Sequence, residues 1–266
     1  TLDRSSAASD VYKRQYMNSV KFIVLDADYI MLENRPIIRL FGKTSDNKSI
    51  TVFCNNFYPY FYIKTKSKEK LLEFLEKFKN EVISIEEVEK YEPIGYREEK
   101  TNLLKITLRN PSRVPEIREE LHKQKFVEKT YEADILFKYR FLADRNIFGM
   151  RWYEAKGSFV NSETVFTDLK LEAKEISESE EIDFEPKILS IDIECYNSKG
   201  KPDPEKDPII LISLSFSHEY RGQKSLVLSS KRVPFNNNIL SFDSEDKMLT
   251  EFLKIVREYD PDVITG

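Results

Sequence analysis

Hydrophobic and polar positions change period along this chain, and the changes divide it into elements. Near the start, Phe22 to Leu25, Ile37 to Leu40 and Ser49 to Phe53 are short runs rich in β-branched and aromatic residues, with Ser45-Asp46-Asn47 as turn material between the last two. They predict an early antiparallel set. From Pro59 onward the pattern alternates between strand and helix periods: a strand to Lys64, a helix from about Ser67 to Lys79, strands over Val82 to Val88 and Leu103 to Leu108, a helix from Val114 to Gln124, and a strand near Phe126 to Thr130. That order is β-α-β-β-α-β, a split unit. A further helix is expected over Ala133 to Arg145, while Glu172 to Glu185, crowded with Glu and Ser, reads as a solvated linker or loop.

The run Lys187-Ile188-Leu189-Ser190-Ile191-Asp192-Ile193-Glu194 is an apolar strand that ends with carboxylates on alternate residues. Side chains two apart in a strand share a face, so Asp192 and Glu194 are expected to point together while Ile191 and Ile193 enter a core. An isolated Asp-x-Glu is more often a solvated strand edge. Crowded carboxylates nevertheless repel unless a cation lies between them, and hard oxygen ligands suit Mg²⁺ or Mn²⁺. Downstream, Pro208 to Phe216 and Lys224 to Leu228 predict two more strands around a turn at Gly222. Asp243 or Ser244 is a candidate N-cap for a helix whose apolar stripe is Met248, Leu249, Phe252, Leu253 and Val256; Asp260-Pro261 ends it, and Asp262 to Thr265 begins another strand. Three strands, a helix and a strand, with the acids on the first, resemble the ribonuclease H-like arrangement of proofreading exonucleases.

Composition narrows the field without naming a function. The chain has 266 residues, enough for about two domains, and 33% charged residues describe a soluble globular protein. A net charge of -4 excludes a surface that grips nucleic acid all over, so any DNA path must be a local basic strip. Cys54, Cys195, His122 and His218 show no paired metal spacing and no disulfide framework, which points to a reducing compartment. No run reaches membrane-spanning length. His122 and His218 are solitary and read as hydrogen-bonded surface residues, Trp152 as a packing anchor, and Lys64, Lys66, Lys68 and Lys70 as a solvated helix start.

The segment holding Asp192-Ile193-Glu194 resembles the first exonuclease motif of family B DNA polymerases, and Tyr259 to Gly266 resembles the stretch just before their second motif. Leu25-Asp26-Ala27-Asp28-Tyr29-Ile30 with Arg35 to Gly42 is similar to the opening hairpin of the archaeal members, and Phe57 to Tyr62 and Tyr131 to Leu142 match two further landmarks in colinear order. The resemblance implies an α/β (α+β) chain: a ferredoxin-like, RNA-binding-like β-α-β-β-α-β domain with an extra β-hairpin, then an incomplete ribonuclease H-like exonuclease domain. Residues 1–15 read as a non-native leader, 16–132 as a template-binding domain and 133–266 as a 3′-5′ exonuclease domain truncated before its second motif.

The implied chemistry is two-metal phosphodiester hydrolysis, with Asp192 binding or bridging one ion and Glu194 holding the ion that carries the nucleophilic water. Further carboxylates and a tyrosine are expected beyond Gly266, so the chain alone is expected to bind single-stranded template DNA and to lack a complete active site. DNA template and primer 3′ end are the implied partners, with a sliding clamp for the full-length protein and a cytoplasmic, nucleoid-associated location. In Phe57 to Tyr62, alternation commits half of the rings to a core and leaves the rest for base stacking. The archaeal resemblance places a uracil-capturing pocket on Tyr29, Pro59 and Tyr60, with Leu103 at a lining position where a smaller valine is common, beside a longer loop around Glu92 to Lys100. Two other classes fit the residues: a freestanding DEDD-type exonuclease, and a non-catalytic DNA-binding replisome subunit.

Overall fold

The computed structural model describes residues 17–93, 95–197, 200–234 and 236–266, so the expected leader lies outside the described residues. Two compact units, Thr1–Ile182 and Asp183–Gly266, divide the chain. That division falls later than the 132/133 boundary suggested by the sequence.

The first unit opens with β1 (Asn18–Leu32), β2 (Arg35–Thr44) and β3 (Ser49–Cys54). Glu33 and Asn34 both take positive φ, 48° and 61°, the geometry of a two-residue hairpin turn that matches strand twist. β1 is much longer than its apolar run because a register shift between Val24 and Asp26 breaks the alternation that marks a strand in sequence. There follow β4 (Tyr60–Thr65), α1 (Lys68–Leu75), β5 (Val82–Lys90), β6 (Thr101–Leu108), α2 (Val114–His122), β7 (Val127–Tyr131) and α3 (Phe137–Asp144). The β-α-β-β-α-β order expected from the pattern is present, and its four strands pair antiparallel in the order β5-β6-β4-β7. Ser67 caps α1 by accepting from the Lys70 N–H. Phe61, Ile63, Leu71, Ile106, Leu108 and Ile117 are fully buried between this sheet and its helices.

β8 (Trp152–Phe159) and β9 (Leu169–Glu178) then return to the first three strands and close a five-stranded barrel in the order β1-β2-β3-β9-β8. The early hairpin is therefore two staves of a barrel rather than an appendage. The linker expected over Glu172 to Glu185 is corrected in its first half: β9 runs parallel to β3 and antiparallel to β8. Only its inward positions need to be apolar, with Leu171 fully buried and Leu169, Ala173 and Ile176 partly so, while the glutamates between them face out. α3 plugs the barrel with Phe137 and Phe141. It is shorter than the expected helix because residues 133–136 are not helical.

The second unit holds β10 (Ile188–Cys195), β11 (Ile209–Tyr220), β12 (Gln223–Ser229), β13 (Ile239–Ser241), α4 (Glu245–Tyr259) and β14 (Val263–Thr265). The sheet order is β13-β12-β11-β10-β14, with β10, β11 and β12 antiparallel and β14 parallel to β10. Arg221 and Gly222, at φ 50° and 77°, form the tight turn between β11 and β12. Ser244 is the N-cap of α4, accepting from the Lys247 N–H, and Asp260 ends the helix in the left-handed region just before Pro261. Met248, Ile255 and Tyr259 are the buried residues of α4, whereas Leu253, expected in the stripe, is 52% exposed. The seam follows 248, 252, 255 and 259, and position 253 lies about 100° off it.

Candidate functional site

Pairing in the second unit decides where the two acids point. Leu189 pairs with Phe216, Ile191 with Leu214 and Ile193 with Ile212, and directly opposed residues share a face, so these six belong to the side packed under α4. Asp192 pairs with Ser213 and Glu194 with Leu211, on the opposite face. Both residues are exposed, their backbone positions about 7 Å apart along the strand. Among the described residues neither has a hydrogen-bond or ion-pair partner. The expectation that Ile193 enters the core is corrected. It is 51% exposed because the buried cluster reaches only Leu189 and Ile191, and pairing with β11 shifts register just beyond, at Glu194/Cys195.

Small neighbours keep this face shallow. Ser190 pairs with Ser215 beside the acids, and Gly266 follows β14 so closely against β10 that a Cβ there would lie 2.2 Å from the Ile191 carbonyl oxygen. A side chain at 266 would push on the strand that carries Asp192. Two carboxylates without a partner cation among the described residues, beside Ser190, Ser213 and Leu211, suit Mg²⁺ or Mn²⁺ as part of an oxygen donor set, and they do not complete one. Among the described residues no cluster of three or more His, Cys, Asp or Glu is grouped for metal binding.

The first unit holds a cavity of about 560 Å³ that Tyr29, Pro59 and Tyr60 line together. Pro111, Val114, Arg118, Phe137 and Arg140 are among the residues that extend its wall, together with the acids Asp28, Glu132 and Asp134. Tyr29 meets Phe137 edge to face at 5.2 Å. The Tyr60 hydroxyl donates to Asp144 at 2.6 Å, and burial, reinforced by that bond, raises its pKa above the usual phenol value. The Arg140 guanidinium lies 4.7 Å from the Tyr60 ring centre and pairs with Glu132 at 2.7 Å. Leu103 is corrected as a lining residue: it is 3% exposed in a cluster with Tyr62 and Tyr131, behind the cavity-lining Tyr60 that packs against them, and does not itself line the cavity. Val114, the first residue of α2, is one of several apolar residues on the cavity wall. The run Asn110-Pro111-Ser112-Arg113-Val114-Pro115, where two prolines fix the helix entry, was the signal available for it.

Within the Phe57 to Tyr62 run, Tyr58 and Tyr60 are half-buried and Tyr62 is closed off. Tyr62 and Tyr131 are 3% and 5% exposed, and Glu92 from the β5–β6 connection accepts from Lys64 at 2.6 Å and from the Tyr131 hydroxyl at 2.8 Å. The Lys64 ammonium, and after it the Tyr131 hydroxyl, hold the Glu92 carboxyl down to about 2. His122 Nε2 lies 2.7 Å from the Thr130 hydroxyl, and His218 lies beside Ser217 and Glu185. Trp152 is 1% exposed and donates its indole N–H to the Ile182 carbonyl at 2.7 Å.

A sequence profile described as DNA polymerase family B, exonuclease domain, matches residues 128–266, and the chain belongs to that family. Its start lies near the 132/133 boundary read from the sequence. The chain is 29% identical to DNA polymerase 2 of Aeropyrum pernix over 93% of this chain and 30% of the relative, and 29% identical to the DNA polymerase delta catalytic subunit of Oryza sativa over 93% of this chain and 27% of the relative. A solved structure of the family B DNA polymerase from Pyrobaculum calidifontis superposes with a TM-score of 0.71 at 25% identity, covering 92% of this chain and 30% of that one. The chain thus spans less than a third of the relatives' length. No helix among the described residues is long and apolar enough to cross a membrane.

Proposed function

We propose that this chain supplies the template-binding and proofreading part of a replicative family B DNA polymerase, with Asp192 and Glu194 as metal ligands of a 3′-5′ exonuclease centre. The observation that carries the reading is the open face of β10, where two carboxylates on alternate residues meet no cation among the described residues. Strand order supports it: an antiparallel three-strand meander, a helix and a strand parallel to the first is the ribonuclease H-like plan, and β5-β6-β4-β7 is the ferredoxin-like one. The exonuclease-domain match and polymerase-named relatives favour this reading over a freestanding exonuclease or a non-catalytic replisome subunit. A sliding clamp and a nucleoid-associated cytoplasmic location belong to the same proposal.

Bound there, two divalent ions would activate a water and stabilise the leaving 3′ oxygen. The chain's own part is to fix ligand positions. β10 is held on both sides by β11 and β14, Asp192 and Glu194 offer oxygens from one face, and Ser213 leaves room for a phosphate. Two carboxylates are half of the donor set that two ions need. The chain alone is therefore expected to show little or no Mg²⁺-dependent degradation of 3′-labelled single-stranded DNA, and rapid degradation would contradict this ligand count.

The cavity between Tyr29, Tyr60 and Val114 supports capture of uracil from template DNA, by a shape that excludes the thymine methyl. One methyl in a fitted apolar pocket is worth about tenfold or more. Fluorescence anisotropy should show that preference for a uracil-containing over a thymine-containing single strand, and equal binding removes the reading.

A further inference from the structure

The acid face of β10 is not symmetric, and the difference lies in β11. Asp192 is paired with Ser213, whereas Glu194 is paired with Leu211. Directly opposed strand residues bring their Cβ atoms to about 4.5–5.5 Å, within reach of a hydrogen bond between a serine hydroxyl and a carboxylate. We infer that Ser213 is a positioning residue for Asp192: its hydroxyl donates to one carboxylate oxygen and leaves the other for a divalent ion. The inference rests on the proposed assignment of Asp192 and Glu194 to divalent ions, and it separates the two acids, because Leu211 gives Glu194 no such donor.

Ser213 is half-buried, and neither its hydroxyl nor the Asp192 carboxylate has a hydrogen-bond partner among the described residues, so each is available to the other. Two other serines of this sheet are committed elsewhere: Ser217 Oγ accepts the Ile188 N–H at 2.8 Å, and Ser229 Oγ donates to the Lys231 carbonyl at 2.8 Å. Ser190 and Ser215 pair with each other, one row back from Asp192 on the same face. Ile212 and Leu214, on either side of Ser213, are 1% and 2% exposed, so core packing anchors the strand at both flanks. β11 is also paired on both edges here, and Val227, opposite Ser213 on β12, brings no competing polar side chain. The hydroxyl is therefore carried by a backbone that cannot roll or slide, as a group must be if it is to hold a carboxylate in one rotamer. Carboxylates that bind metals are themselves hydrogen-bonded, and loss of such an outer partner costs about 10–100-fold in metal affinity or activity.

The test compares wild type with Ser213→Ala, Ser213→Thr and Asp192→Asn by two readouts. In this chain, the Mn²⁺ concentration that half-broadens the amide signals of residues 190–195 should rise about tenfold or more in Ser213→Ala and return toward the wild-type value in Ser213→Thr, which keeps the hydroxyl. In the polymerase that carries this chain, Ser213→Ala should lower kcat for trimming a mispaired primer by a similar factor with the primer KM unchanged, and Ser213→Thr should restore it. Urea midpoints of wild type and Ser213→Ala should agree, which separates positioning from folding. If Asp192→Asn loses both broadening and trimming while Ser213→Ala matches wild type, the role of Ser213 is overturned and the metal assignment stands. A Ser213→Thr variant as weak as Ser213→Ala overturns that role as well. No broadening in the wild type, or undiminished broadening and trimming in Asp192→Asn, overturns the metal assignment and this inference with it.

Discussion

Replacing Asp192 and Glu194 together by their amides, Asp192→Asn and Glu194→Gln, in the polymerase that carries this chain is expected to stop the trimming of mispaired primer termini. A fall of about a thousandfold or more corresponds to roughly 4 kcal/mol of lost transition-state stabilisation, the scale expected when metal-held charge is removed from phosphodiester cleavage. The amides keep the shape of the side chains and remove their charge. Because both acids are exposed and unpartnered among the described residues, folding stability should stay within about 0.5 kcal/mol. Under the proposed reading, primer extension should continue. A 3′-mismatched primer assay separates the two activities, and undiminished trimming by the double variant would remove these residues from the chemistry.

Gly157→Val is expected to unfold the barrel at ordinary temperature or to cost about 3 kcal/mol or more. A Cβ at 157 would lie 1.9 Å from the Glu172 carbonyl oxygen, so backbone meets backbone where β8 crosses β9 and no flexible side chain can move aside. The register between these strands shifts at this residue, which is where glycine permits the close approach. Gly149→Ala is the control: a Cβ there has nothing within 4 Å, and the change should be close to neutral. Urea denaturation of the two variants gives the comparison, and a Gly157→Val chain as stable as the control would mean that β8 and β9 do not close the barrel in this register.

How much of this was legible in the sequence depends on how each element is covered. The acid-bearing strand, the two antiparallel strands that follow it in the chain, the capped helix and the β-α-β-β-α-β module follow from periodicity, because each has one apolar face and one polar one. β9 was not legible. Its outward positions are glutamates, its inward ones are few, and its partner β3 lies more than a hundred residues earlier, as the Thr51–Thr167 separation of 116 shows. Of the pocket residues that the resemblance implies, Tyr29, Pro59 and Tyr60 do line one cavity, whereas Leu103 lies in the cluster behind Tyr60; Ile193 is expected in the core because alternation gives a residue's face without saying how far the cluster beneath it extends.

Paramagnetic broadening of backbone amide signals in the ¹⁵N-labelled chain on addition of Mn²⁺ probes the acid pair most directly, because it registers even weak ion binding. The expected result is selective loss of signal at residues 190–195 and around Ser213 on the adjoining strand, abolished by Asp192→Asn with Glu194→Gln; signals that stay sharp there, or fade evenly across the chain, would contradict the assignment of this face to divalent ions.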